Sequence, residues 1–498
     1  MTPTRVVWRP PWYAWMVAGL AALVFTREFI PARLHGHWLI VTPILIVVGV
    51  LAVRRLWELP PAATMCAAIV LTVFSGAWQQ MGWGSLPFDR LLILVVVLQV
   101  LLRAPGTAQT PRLQVRNVHL LMCLTVMYVL ASAVAAGTIT TETGVLTLLD
   151  EFGVVPFIMF LLAPAVFAGR RERDLLLTTL VGLGAYLGFT AVFQSLGPHA
   201  LVFPRYILAF NSEVSAGRAS GPFQGVVVEG FATFACAGAA VIAFARWRGQ
   251  RKRYLAAIVA VVCAFGCFLT FERGVWIAAA VATIATALAT RTGRRWVVPG
   301  LLVCSIAVGG ALFASSTLAS KTSSRVEDQV SVWDRENQTA AGLRMVEARP
   351  LFGFGWNSYA SNSLEYFRQT ANYPMDGYSL ANFETIGQLL PIHDTYLSYA
   401  VELGLVGALL WLTSLLWGIG GAILSRGPSD LRPWKLGLIA LFAFYLVVSL
   451  FNPYQASPFL ALLLWTWAGV ARGGPSLSTQ AQLAMRRRQR TGVAWIPA

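Results

Sequence analysis

The chain has 498 residues, of which 57% are hydrophobic and only 12% charged. A soluble protein of this length is roughly a quarter charged, so that class is excluded. The net charge of +16 invites a nucleic-acid reading, but the charges are spread between apolar blocks, and no nucleic acid is expected as a partner.

The apolar blocks run to the length that crosses a bilayer as a helix. Candidate spans lie near 12–26, 38–53, 61–79, 87–102, 117–136, 153–169, 175–195, 225–245, 254–271, 274–290, 296–314, 395–424, 435–451 and 458–471. Two or three of them are open to re-entrant or interfacial readings. The expected fold is therefore an all-α polytopic membrane protein with 12–14 transmembrane helices, because backbone polar groups in hydrocarbon must bond within their own element. The first span reads as a retained helix. It is followed by Thr26-Arg27-Glu28 and lacks a small-residue cleavage site.

With the N-terminus in the cytoplasm and sides alternating, most of the 38 Lys+Arg fall on cytoplasmic segments. This positive-inside bias predicts that both termini are cytoplasmic. The run Arg486-Arg-Arg-Gln-Arg490 then anchors the last helix to anionic headgroups. All six cysteines lie in apolar runs, and none stands at metal spacing from a histidine. They read as small packing residues; no metal, cofactor or disulfide framework is expected.

The chain divides into N-terminal helices (1–200), helices carrying arginines at their outer ends (201–314), a long outward loop (315–393), C-terminal helices (394–475) and a basic tail (476–498). A loop as long as 315–393 is usually functional. Within it 334–348 reads as helical, and Pro350-Leu-Phe-Gly-Phe-Gly-Trp356 reads as a turn against the membrane surface. Phe268-Leu-Thr-Phe-Glu-Arg-Gly-Val-Trp276 joins two spans with almost no loop. Glu272 and Arg273 therefore stand at the outer membrane face, where ionisable groups are costly and point to function.

Beside the outward ends of spans stand Arg218, Arg273, Arg335, Arg344 and His393. Arginines bind phosphate oxygens in bidentate fashion, and several at one face suit a diphosphate whose lipid tail stays in the bilayer. A histidine near neutral pKa suits proton transfer with an alcohol. Together they point to sugar transfer from a polyprenyl-diphosphate carrier outside the membrane. No phosphate-loop or dinucleotide motif is present. A transporter would show its unusual charges at the bilayer midplane; here they gather at one face. A scaffold would tolerate their loss. Asp394, Tyr396 and Glu402 follow His393. If a helix starts there, Thr395 is available as its cap and Glu402 lies two turns in.

Three stretches resemble the O-antigen ligase and polymerase family of bacterial membrane glycosyltransferases. Phe271-Glu-Arg-Gly-Val-Trp276 is similar to the family's Ser-Arg-Gly-x-Trp. Arg335 stands fifteen residues before Pro350, which opens a turn similar to the family's Pro-Leu-x-Gly-x-Gly. His393, Tyr396, Leu397, Glu402, Gly404, Leu405 and Gly407 match its His-Asn-x-Tyr-Leu…Glu-x-Gly-Leu-x-Gly. Gly217-Arg-Ala-Ser-Gly-Pro-Phe223 resembles a further arginine-bearing segment. The resemblance spans about residues 200–425. It implies a GT-C-like fold, a polyprenyl-diphosphate-linked glycan donor and a glycan, lipid or protein acceptor. It further implies Arg218 and Arg273 on the diphosphate, Arg335 or Arg344 assisting, and His393 as base in an inverting, metal-independent reaction. The chain departs from the pattern at Glu272, Thr339 and Asp394 and at Gln224–Glu229. A protein O-oligosaccharyltransferase shares the same core and differs in acceptor.

Overall fold

The computed structural model describes residues 54–75, 88–102, 113–140, 153–209, 217–295, 330–367, 392–452 and 458–473, with a few positions between 299 and 323. The expected spans near 12–26 and 38–53, most of 296–314 and the tail 476–498 lie outside these residues. Every regular element among the described residues is helical. The longer ones, in order, are α1 (Pro61–Thr72), α2 (Phe88–Leu102), α3 (Asn117–Ala135), α4 (Val154–Val166), α5 (Arg170–Leu196), α6 (Val226–Arg246) and α7 (Gln250–Phe268). There follow α8 (Arg273–Leu288), α9 (Val330–Ala348), α10 (Tyr359–Phe367), α11 (Thr395–Leu415), α12 (Arg432–Val448) and α13 (Pro458–Arg472). One π turn, Leu416–Gly420, carries α11 on to Leu424.

Among the described residues, five segments are long and apolar enough to cross a membrane: Asn117–Ala135, Arg170–Leu196, Val226–Arg246, Thr395–Leu424 and Ser429–Val448. Pro61–Thr72, Val154–Val166, Arg273–Leu288 and Pro458–Arg472 are apolar but shorter. The chain is an all-α polytopic membrane protein. Cys66, Cys236, Cys263 and Cys267 are buried as packing residues are, whereas Cys123 is exposed and Cys304 lies outside the described residues. The Cys263 thiol donates to the Gly184 carbonyl at 3.1 Å, so α5 and α7 meet through a glycine and a small side chain.

The helices give the bundle two chemically different ends. Arg170, Arg173, Arg246, Arg248, Arg251, Lys252, Arg253, Arg426, Arg432 and Arg472 lie at the starts of α5, α7 and α12 and the ends of α6, α11 and α13. Arg173 bonds Asp430 at 2.5 Å and Arg246 bonds Asp174 at 2.7 Å there. The opposite end carries the end of α5, the starts of α6, α8 and α11, and Arg218, Glu272 and His393.

Against this second end the long loop is fastened by its own backbone. Gly404 interrupts α11 at φ 65°, ψ 179°. Phe354 N–H then donates to Val401 O at 3.0 Å and Gly355 N–H to Glu402 O at 2.8 Å, while Leu405 N–H donates to Pro350 O at 2.8 Å. The buried Glu402 carboxylate accepts the amides of Asn357 (3.1 Å) and Tyr359 (3.3 Å). Trp356 is buried, its N–H bonded to Ser132 and its carbonyl to Thr138 at the end of α3. The turn 350–358 therefore docks on a broken helix, and α9 is held over the bundle end as a consequence.

This docking requires two glycines at contact. A Cβ on Gly353 would stand 2.5 Å from the Glu402 carbonyl oxygen, and one on Gly404 2.3 Å from that of Leu351. The Gly404 dihedrals are also close to glycine-only. Gly404→Ala is expected to destabilise by about 3 kcal/mol, read as a lower thermal midpoint in detergent. Arg349→Ala removes only a cation–π contact 4.7 Å from the Phe354 ring and is expected to shift that midpoint little, about 1 kcal/mol at most.

Candidate active site

The turn between α7 and α8 is four residues long, Leu269–Glu272. Glu272 is the N-cap residue of α8 in position, although its side chain makes no capping bond. Its carboxylate turns toward cations instead. Oε2 accepts Arg218 Nη2 at 2.5 Å and Oε1 accepts Arg335 Nη2 at 3.2 Å. Arg218 also donates Nε–H to the Thr270 carbonyl at 2.9 Å. Both Arg218 and Glu272 are buried. Burial alone would raise the Glu272 acid, but the two guanidiniums outweigh it and hold the carboxyl below its usual range. Arg273 is the first residue of α8, half-buried beside this group.

The Arg218 loop is positioned by Gln194 at the end of α5. Its Oε1 accepts the amides of Ser220 (3.1 Å) and Gly221 (2.9 Å), and its Nε2 donates to Ser220 Oγ at 2.9 Å. Ala219 N–H reaches the Leu269 carbonyl at 2.9 Å. The GRASGPF segment is thereby tied to both α5 and the α7–α8 turn. Gln194 carries no charge and no motif, and only the fold reveals it.

Helix α9 supplies the bridge to the histidine. Arg335 and Gln338 stand three residues apart, so they share a face. Gln338 is buried, and its Oε1 meets two atoms of His393: the backbone N at 3.1 Å and Nδ1 at 2.8 Å. A backbone N–H can only donate, so the Gln338 atom there is the acceptor oxygen. The same oxygen faces Nδ1, so Nδ1 carries the imidazole proton and Nε2 keeps the lone pair. Burial, then the Arg335 charge, lower the His393 pKa to about 4, with Glu272 pulling the other way. At neutral pH the imidazole is an uncharged base in one tautomer. The signal that sequence reading missed was helical phase: Gln338 follows Arg335 by one turn.

The same phase separates Arg344. It lies nine residues after Arg335, two and a half turns on and so on the opposite face. Its Nη1 donates to the Tyr366 carbonyl at 2.8 Å, tying α9 to α10. The residues after His393 also separate. Asp394, rather than Thr395, caps α11, its Oδ1 accepting Tyr396 N–H at 2.8 Å and Leu397 N–H at 3.1 Å. Thr395 instead donates its hydroxyl to Asn452 O at 3.0 Å. Tyr396 donates its hydroxyl to Leu446 O at 3.0 Å, joining α11 to α12. Glu402 serves the docked turn. The geometry thus gathers Arg218, Glu272, Arg335, Gln338 and His393, with Arg273 next in the chain to Glu272, while Arg344, Asp394, Tyr396 and Glu402 brace the elements that carry them.

No group of three or more His, Cys, Asp or Glu with metal-holding geometry occurs among the described residues.

Residues 258–412 match the family model described as O-antigen ligase. Over this segment the chain is similar to that family. It begins within α7 and ends within α11, so it contains Glu272, Arg273, Arg335, Gln338, His393 and the docked turn; Arg218 lies before it. The O-antigen ligase match supports a membrane glycosyltransferase of the ligase or polymerase type. The family implies a lipid-linked glycan donor and a glycan or lipid acceptor. No curated protein matches the chain.

Proposed function

We propose that the protein transfers a glycan from a polyprenyl-diphosphate carrier to an envelope acceptor at the extracytoplasmic face of a bacterial cell membrane. The observation that carries this reading is the convergence of His393 and the arginine–glutamate cluster at the end of the bundle away from the basic end. The basic end is the cytoplasmic one by the positive-inside bias.

In this reading Arg218, Arg273 and Arg335 receive the diphosphate, and their guanidinium forks stabilise the charge that develops as the sugar leaves. His393 Nε2 accepts the proton of the acceptor hydroxyl as it attacks the anomeric carbon from the opposite side. The sugar–phosphate bond breaks, the anomeric centre inverts, and polyprenyl diphosphate departs. Gln338 is a positioning residue, holding the Nδ1–H tautomer that leaves Nε2 free. Arg344, spent on Tyr366, is assigned to bracing α9.

The test is a reconstituted assay with undecaprenyl-diphosphate-linked glycan in EDTA. Release of undecaprenyl diphosphate that depends on His393 supports the reading. Movement of the intact donor across the bilayer without turnover would identify a flippase instead. Arg273→Lys is expected to reduce transfer about ten- to a hundredfold, because a fork becomes a point charge. Initial rates at saturating acceptor measure it.

A further inference from the structure

At the basic end, away from the proposed active site, lies a cavity of about 850 Å³. Its walls are the start of α3 (Gln114–Val118), the π turn with the continuation of α11 (Trp417, Gly418, Gly421, Ser425, Arg426) and the end of α13 (Arg472, Gly473). Among the described residues the charge of the lining is one-sided: Arg116, Arg426 and Arg472 face it, and no carboxylate does. Among the described residues none of the three is in an ion pair with an acid. Arg116 gives Nη2 to Gln114 Oε1 at 2.9 Å, and Arg472 lies 5.3 Å from the Phe160 ring. The nearest acid along the chain from Arg426, Asp430, is already held by Arg173. The flanking sequence cannot supply a carboxylate either, since 103–116 and 472–498 contain no Asp or Glu.

The cavity is also shaped. The α11 helix departs from α geometry only at Leu416–Gly420 along its far half, and π turns recur at functional positions. Just past that turn, Gly421 lines the cavity, and an added Cβ there would meet only Trp417 Cδ1 at 3.8 Å. A glycine floor, an exposed indole from Trp417 and three arginines make a recess with unspent guanidinium donors.

We propose that this cavity is a binding site for a phosphate-bearing anion. A phospholipid headgroup and free phosphate share that chemistry. The exposed Trp417 in its lining favours the lipid, whose acyl chains would lie along α11 while its phosphate sits among the arginines. A lipid held here would fix α3, α11 and α13 to one another, and α11 is the helix that begins beside His393.

The test uses the full-length protein, with native mass spectrometry in phosphatidylglycerol or phosphatidylcholine nanodiscs and a parallel titration with inorganic phosphate. Wild type is expected to retain phosphatidylglycerol about tenfold better than phosphatidylcholine. The Arg426→Gln/Arg472→Gln double variant is expected to lose that preference, since each charge-assisted bond is worth about tenfold. Gly421→Leu keeps every charge and fills the recess, so it is expected to lose the preference as well, and it decides the matter if the double variant does not fold. Saturable inorganic phosphate binding with the same sensitivity, and no lipid preference, would support the site with free phosphate as its occupant. Equal retention of both lipids with no phosphate binding, or binding unaltered in folded variants, would overturn the proposal.

Discussion

His393→Ala is expected to lower transfer about 10²–10⁴-fold, the range over which a positioned general base contributes, with insertion and thermal midpoint nearly unchanged. Gln338→Ala is expected to cost about ten- to a hundredfold, because the imidazole then divides between tautomers. The pH profile separates this from a merely structural role. With His393 lowered to about 4 by burial and the Arg335 charge, kcat/KM in wild type should rise through about pH 4 and be level at neutrality. Gln338→Glu still accepts the Nδ1 proton but adds a negative charge that favours imidazolium, so the acid limb moves up. Arg335→Gln removes the cation that lowers the pKa and moves the limb the same way. The sign for stability agrees. Between about 4 and the usual 6.5 the unfolded chain binds more protons than the folded one, so stability rises with pH across that window. Full activity in folded His393→Ala would sink the assignment of the base. Loss there, but an unchanged acid limb in both Gln338 variants, would sink only the role given to Gln338.

The fold was largely legible because hydrocarbon imposes a simple constraint. Uninterrupted apolar length marks a helix, and the expected spans at 117–136, 225–245 and 395–424 meet helices Asn117–Ala135, Val226–Arg246 and Thr395–Leu424 closely. The site was less legible, for three physical reasons. Neutral amides leave no mark in composition, so Gln194 was invisible and Gln338 was marked only by its phase, one turn after Arg335, although each positions a charged or titratable residue. Helical phase was legible and separates Arg335 from Arg344, yet proximity to the motif had recommended both. Partners distant in sequence were not legible at all. Glu272 meets Arg218 across 54 residues and Arg335 across 63, and nothing local announces either pair. Asp394 and Thr395 show the limit of local rules, since both are good caps and only the backbone decides between them. Glu402 was placed two turns into the helix after His393 and in the family-like stretch, with no partner legible. Its carboxylate answers two backbone amides of a turn more than forty residues earlier, which accounts for a glutamate spaced so closely to two glycines in that stretch.

Glu272→Gln is expected to tighten donor binding while weakening the fold. In the structure the carboxylate occupies two of the guanidiniums proposed for the diphosphate. An incoming diphosphate meets those cations already neutralised, and it meets a like charge at hydrogen-bonding distance from them. Amide replacement keeps the size and one acceptor oxygen but removes the negative charge. Arg218, buried and facing a neutral group, is then left short of a counter-charge, and breaking such a pair costs about 3–5 kcal/mol. The same shortage is relieved by an anionic ligand. The expected signature is therefore coupled: a lower thermal midpoint without ligand, recovery on adding donor or inorganic diphosphate, and apparent affinity for diphosphate at least about tenfold higher. Release of the carrier diphosphate should slow correspondingly, so kcat falls while KM falls with it. This places Glu272 as a competing anion that keeps the arginines aligned and lets the product go. A variant that loses stability and diphosphate affinity together would instead assign Glu272 to orienting the guanidiniums alone. Isothermal titration with inorganic diphosphate, run beside thermal melts of wild type and Glu272→Gln, separates the two.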